Sequence, residues 1–324
     1  MFTEDPVMAA AQKTLPAYRL RYDALLVLIT MIWGSTFLVV KYVVKLSGPF
    51  TYLAFAYGVG TLALTLIFRK RLARITRAEL RNGLIIGMFL FTGYALQTTG
   101  LQFTTVSKAG FITGLNVPLI PVFMLLLLRQ KPSRVAVVGL ILSFIGLFLL
   151  SFNNQLTLSI SMGELLIFGA AIAFALHVVN ISRFSPGADA TNLVIMQVGL
   201  TSLLSFIAIP IAHQPLFVPS WSFWLAVLLM GTIDIAFTLL VMNRVQQFIG
   251  GTKAALIYAL EPVWAALTGL LLAGDVLSRP AWIGCGCILA GMIVGRMGQV
   301  ASITFFVHFK LNVIETLWKR FRLY

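Results

Sequence analysis

Charge is scarce in this sequence, and negative charge is scarcest. Asp and Glu number ten in 324 residues, and all charged residues together make up 10% of the chain, against roughly a quarter of an ordinary soluble domain. That deficit excludes a fold surrounded by water. Only two cysteines occur, Cys285 and Cys287; two residues apart on one helix, they point to different sides and can neither pair nor chelate with each other. There is no phosphate-cradling glycine loop followed by Lys and Ser or Thr, and no HExxH pair. Nor is there a two-aspartate, Ser/His or metal-ligand constellation. An ATP-driven motor would have to come from a partner, an intramembrane enzyme lacks its chemistry, and no cofactor or metal is expected.

Hydrophobic residues fill the space instead, at 59% of the chain. Ten apolar stretches stand out, at 24–44, 49–68, 82–100, 107–128, 134–152, 163–181, 191–211, 221–242, 253–273 and 281–298. Each is close to the roughly 20 residues that cross the hydrocarbon core as a helix. Barrel strands would be about half as long and would alternate. The expected fold class is therefore all-α integral membrane, with ten transmembrane helices. A net charge of +14 would suggest a nucleic-acid partner in a soluble chain. With the N-terminus placed in the cytoplasm, however, 19 of the 24 Lys and Arg residues fall on the inside, many between Arg69 and Arg81. The positive-inside rule then puts both termini in the cytoplasm of a multi-pass protein of the inner (plasma) membrane, with anionic lipid as the partner and no nucleic acid. Residues 1–23 are polar, and the first apolar run continues to Lys41 without a small-residue cleavage site, so it reads as a retained span.

The chain also repeats itself. Slid by 145 residues, SKAGFITGLNVPL from Ser107 lies over TKAALIYALEPVW from Thr252 without a gap, and Gly139 and Gly146 land on Gly284 and Gly291. One five-span repeat occupies 24–152 and the other 163–298, joined by an external linker at 153–162. Five is odd, so the second copy enters the membrane from the opposite side, and the expected architecture is two inverted five-helix repeats with a site near the midplane between them. Pairs of small residues four apart, such as Gly83 and Gly87, allow close helix contact.

Three stretches, WGSTFLVVK from Trp33, TTVSKAGFITGL from Thr104, and LEPVWAALTGLLLAGDVLS from Leu260 followed by WIGCGCILAGMIV, resemble the EamA type of the drug/metabolite transporter superfamily. The resemblance covers residues 24–298. It implies two EamA repeats and a carrier that exports amino acids, with a leaning toward the aromatic amino-acid exporters, or other small metabolites. Exchange of anionic sugars or nucleotide sugars, as in related branches, is the alternative. The sequence departs from the family pattern where Gln130 stands opposite Asp275, and where His177 and Asp234 occupy places expected to be apolar.

Two carboxylates fall deep inside spans, Asp234 and Glu261. Each needs a water-lined cavity, a partner or a bound proton, which makes both candidates for solute binding and proton coupling. Glu261 has a structural alternative: a neutral carboxyl bonded to backbone carbonyls left free by Pro262. Lys108 and Asn116, like Lys253 and Glu261, are eight residues apart, and the spacing predicts two polar ladders facing each other. Lys108 is a candidate to attract a substrate carboxylate, or else snorkels to the headgroups. His177 is a candidate proton relay or a satisfied hydrogen-bonder. Trp33, Tyr94, Gln97 and Tyr258 are candidates to wall a pocket for a flat, amphipathic solute, against ordinary packing or an interfacial belt. Residues 299–324 space Phe306, Phe309, Val313, Leu317 and Phe321 as an amphipathic helix on the cytoplasmic leaflet. A homodimer is compatible with the sequence but not specified by it.

Overall fold

The computed structural model describes residues 16–104, 106–151, 161–273 and 278–295. The expected tail helix, most of the linker and Asp275 lie outside the described residues. Among those residues there is no strand. The first repeat contains α1 (Pro16–Ser47), α2 (Pro49–Ile67), α3 (Arg77–Gly100), α4 (Lys108–Leu128) and α5 (Arg134–Ser151). The second contains α6 (Met162–Phe184), α7 (Ala190–Ile211), α8 (Trp221–Ile249), α9 (Gly251–Leu272) and α10 (Arg279–Gly295). Seven of these helices (α1, α2, α4 and α6 to α9) are long and apolar enough to cross a membrane, while α5 and α10 are apolar but shorter. The helix α3 is 24 residues long and carries Arg77, Glu79 and Arg81 at its start. Large apolar side chains such as Leu66, Ile141, Phe148, Ile211 and Ile283 are exposed, as the solvent-facing surface of a multi-pass membrane protein must be when that solvent is lipid.

Local signals explain where several helices start. Thr76 and Glu79 form a reciprocal capping box before α3, and Ser161 and Glu164 form another before α6. Pro49 opens α2, where its missing N–H has no partner to lose. Two helices are broken at equivalent places. The helix α4 is interrupted at Leu115 and resumes at Asn116; α9 is interrupted at Ala259 and Leu260 and resumes at Glu261. Pro262 therefore sits in the first turn of a half-helix, where it is tolerated. In α8, the stretch Met230–Phe237 widens into a π-helix, a form that recurs at functional sites.

The two repeats are inverted in the structure. Corresponding helices pack antiparallel on one another: in α2 and α7, Phe50 bonds to Gln214 while Ala54 bonds to Ser202. In α4 and α9, Gly114 faces Pro262 and Gly110 faces Ala265. In α5 and α10, a Cβ at Gly139 would lie 2.5 Å from the Gly291 carbonyl oxygen, and one at Gly146 would lie 2.6 Å from that of Gly284. Because Gly284 and Gly291 are the repeat counterparts of Gly139 and Gly146, the exchange is what a two-fold axis between the helices demands. The other contacts obey the same exchange. The helix α3 packs on α6 and α7 as α8 packs on α1 and α2, and α4 packs on α6 as α9 packs on α1.

Candidate functional site

The helices α1 to α4, α6, α8 and α9 enclose a central cavity of about 860 Å³ of empty space, part of it continuous with solvent. Both repeats line it at matching positions. Leu90, Tyr94, Gln97, Thr113 and Asn116 come from the first; 145 residues on, Ile235, Leu239, Met242, Tyr258 and Glu261 come from the second. Asn116 and Glu261 each begin the second half of a broken helix, so the helix break is what turns both toward the cavity. The charge does not follow the symmetry. Asp234 and Glu261 both belong to the second repeat, and their counterparts in the first are Phe89 and Asn116.

Eight of the nine residues singled out from sequence meet here: Trp33, Tyr94, Gln97, Asn116, His177, Asp234, Tyr258 and Glu261. Lys108 does not line the cavity. Its ammonium lies 2.7 Å from Glu164 Oε1 and its side chain is about half exposed. Lys253 is exposed as well. The expected ladders are therefore reduced to one rung each, Asn116 and Glu261, because both helices break between the lysine and the lower residue. Tyr52, Tyr57, Thr113 and Phe174 also line the cavity and were not expected. For Thr113 a signal existed in the sequence, since it stands one repeat offset before Tyr258.

The aromatic wall has two groups of rings in contact. The Trp33 and Tyr258 rings are 5.7 Å apart, Tyr57 and Tyr94 5.4 Å, and Tyr94 and Phe174 4.9 Å. Close approach of α1 to the break in α9 depends on Gly34, where a Cβ would lie 2.6 Å from the Glu261 carbonyl oxygen. Several hydrogen-bond donors in the wall are engaged by neighbouring groups. Trp33 Nε1 donates to Thr238 Oγ1 at 3.0 Å, and Gln97 Nε2 donates to Thr113 Oγ1 at 3.0 Å. The hydroxyls of Thr36 and Thr98 donate back to the carbonyls of Trp33 and Tyr94. His177 is held by a chain: Gln197 Nε2 donates to Asn243 Oδ1, so the Gln197 oxygen faces the imidazole and His177 Nε2–H donates to it at 3.0 Å. By contrast, Asp234 Oδ1 and the Tyr57 hydroxyl are buried and have no hydrogen-bond partner.

Each end of the bundle has its own closure between the repeats. At the end rich in Arg and Lys, Glu79 accepts from the Asp189 backbone N–H at 2.8 Å and from Asn192 Nδ2 at 3.1 Å, and Arg71 pairs with Asp189 at 3.0 Å. Burial alone would raise the Asp189 carboxyl, but the Thr191 backbone N–H and the Arg71 guanidinium outweigh it and hold the group below the ordinary aspartate value. At the opposite end, Gln214 Oε1 accepts from the Phe50 and Thr51 backbone N–H groups at 2.8 and 3.1 Å. The two closures are counterparts. In each, a side-chain oxygen from near the start of the third helix of one repeat, Glu79 in the first turn of α3 and Gln214 ahead of α8, meets the N-terminus of the second helix of the other.

Comparison with known proteins agrees with this geometry. The sequence pattern of the EamA-like transporter family matches residues 20–152 and again residues 161–295. The chain belongs to that family. Among similar proteins, an uncharacterized transporter of Archaeoglobus fulgidus is 28% identical over 276 residues, covering 85% of this chain and 86% of its own. The uncharacterized transporter YyaM of Bacillus subtilis is 29% identical over 71% of this chain and 79% of its own. The uncharacterized inner membrane transporter YedA of Escherichia coli K12 is 26% identical over 83% and 88%. A solved crystal structure superposes with a TM-score of 0.69 over 85% of this chain and 96% of its own, at 19% identity, which is a likeness of fold. This transporter thus carries two copies of one family unit, and the cavity lies between the copies.

Proposed function

We propose that this transporter is a secondary carrier that exports small metabolites, amino acids foremost, by rocking its two repeats around the central cavity. The observation that carries the proposal is the cavity lined at equivalent positions by two antiparallel repeats, with a separate closure at each end. Two interchangeable packings of such halves are how one site faces the two sides in turn. The termini lie in the cytoplasm under this reading, with the arginine-rich end inside. An amino acid fits with its ammonium toward Asp234 and Glu261 and its side chain among the rings of Trp33, Tyr94 and Tyr258. Asn116 and Gln97 supply neutral polar contacts, and Lys108 acts through its pair with Glu164 at the entrance. Protons compete for the same carboxylates, and this competition couples export to a proton gradient.

Purified protein in liposomes, loaded with an amino acid and given a labelled copy outside, should accumulate the label by counterflow. Transport should rise with an imposed pH gradient in the wild type, and Glu261→Gln should lose that dependence. Transport indifferent to the gradient in both proteins would remove the coupling. A solute recovered chemically altered rather than relocated would instead favour an enzyme.

A further inference from the structure

If the cavity takes an amino acid, the reading on which this step rests, the solute's carboxylate needs an anchor as well as its ammonium. Two side chains of the lining meet that need. Among the described residues, few side-chain oxygens and nitrogens are buried without a hydrogen-bond partner, and two of them line the cavity: the Tyr57 hydroxyl and Asp234 Oδ1. Both residues are deeply enclosed, Tyr57 being 1% and Asp234 6% exposed. A buried polar atom left unpaired is costly, and each one in a native structure calls for an explanation.

A close crossing of α2 and α8 brings the two residues together. A Cβ at Gly231 would lie 2.6 Å from the Ala56 carbonyl oxygen, and one at Gly60 would lie 2.9 Å from that of Gly231 and 3.0 Å from Ile235 Cγ2. Tyr57 follows Ala56 and Asp234 precedes Ile235, so both stand at this crossing, one on each helix. The Tyr57 ring is placed by its edge contact with Tyr94, 5.4 Å between centroids. Asp234 lies within the π-helical stretch Met230–Phe237, and its backbone carbonyl accepts from the Thr238 hydroxyl. The two side chains do not bond to each other. A phenolic O–H that can donate and a carboxylate oxygen that can accept thus line one space, from different repeats, without satisfying one another.

We infer that Tyr57 anchors the α-carboxylate of the solute: its hydroxyl donates to the carboxylate while the neighbouring ammonium donates to Asp234, and the head group bridges α2 and α8. No Lys or Arg lines the cavity, so a hydroxyl is among the donors that the lining offers an anion. A phenolic O–H on a carboxylate makes a charge-assisted bond, stronger than one between neutral groups. The ammonium, one carbon away, stands between that carboxylate and Asp234 and offsets their repulsion. A solute without the carboxylate forfeits the Tyr57 bond. One without the ammonium brings an anion against Asp234 unshielded. The cavity therefore prefers an α-amino acid to the amine or the acid built on the same body, and Tyr57 is a determinant of that preference.

The test titrates three ligands of one body calorimetrically into the purified full chain: phenylalanine, phenethylamine, which lacks the carboxylate, and 3-phenylpropionate, which lacks the ammonium. The wild type should bind phenylalanine about tenfold more tightly than either, the worth of one hydrogen bond to a charged group. Tyr57→Phe keeps the ring and removes the donor. It should weaken phenylalanine about tenfold and leave phenethylamine within about twofold, whereas Asp234→Asn should weaken both. Thermal unfolding checks that each variant is folded, and the wild-type comparison decides without them if one is not. Phenethylamine binding as tightly as phenylalanine to the wild type overturns the anchor. So does a folded Tyr57→Phe that weakens both ligands alike or neither, and in that case the amino-acid reading stands. Failure of the wild type to bind phenylalanine overturns the amino-acid reading, and the anchor with it.

Discussion

Trp33 links the first helix of one repeat to the third helix of the other through a single N–H, donated to Thr238 Oγ1, while its ring lies against Tyr258. Trp33→Phe keeps most of the ring contact and loses the bond, so a loss of about 1 kcal/mol in stability is expected. Trp33→Ala removes part of the cavity wall as well and should cost about 3 kcal/mol. Thermal unfolding in detergent distinguishes these, and equal effects would mean that the hydrogen bond alone matters. The same residue shows what a sequence yields at this scale. Trp33, Asp234 and Glu261 stand out because an indole at the head of a motif, or a carboxylate in an apolar run, is unusual wherever it points. Tyr52, Tyr57 and Phe174 do not stand out, because an aromatic residue in a membrane helix has the same appearance whether it faces lipid, a neighbour or a cavity. His177 was open between relay and hydrogen-bonder in the sequence, and the Gln197–Asn243 chain that engages it comes from α7 and α8, which no local pattern connects.

At the scale of helices, the α5–α10 pair is held by backbone proximity. A Cβ at Gly291 would meet both the Gly139 carbonyl oxygen and Ser143 Oγ at 2.5 Å, whereas one at Gly286 on the same helix would meet nothing within 4 Å. Gly291→Ala should therefore destabilise by about 1–3 kcal/mol through overpacking. Gly286→Ala should be neutral or stabilising, by up to about 1 kcal/mol from helix propensity. A thermal-shift comparison of the two checks this, and equal melting points would contradict the close crossing. The closure at the arginine-rich end has a pH signature. The Asp189 carboxyl is depressed in the folded state, so the folded state releases its proton more readily than the unfolded one. Its stabilisation is fully present above the ordinary aspartate value and is lost as pH falls through the lower folded value. Hydrogen-exchange protection of the α7 N-terminus, corrected for the intrinsic exchange rate, should thus fall on acidification, and Asp189→Asn should flatten that dependence. An unchanged profile in the variant would assign the effect to other groups.

At the scale of the molecule, the inverted repeat has a consequence that can be read without any solute. Reporter tags at Asn153 and after Tyr324 should fall on opposite sides of the membrane, and tags at the two termini on the same side. Asn153 and the C-terminus on a common side would be incompatible with five helices per copy.

The sequence by itself determined the helical membrane class, the duplication and its inversion, and it named eight of the residues that line the central cavity. Helix length against bilayer thickness, the 145-residue offset and an odd number of spans are arithmetic on one dimension. Tertiary structure alone decided that Lys108 pairs with Glu164 instead of facing the cavity, that Glu79 and Gln214 close opposite ends, and that the Trp33 indole N–H goes to Thr238. Those are partnerships between residues 56 to 205 positions apart, and only packing brings such residues within hydrogen-bonding distance.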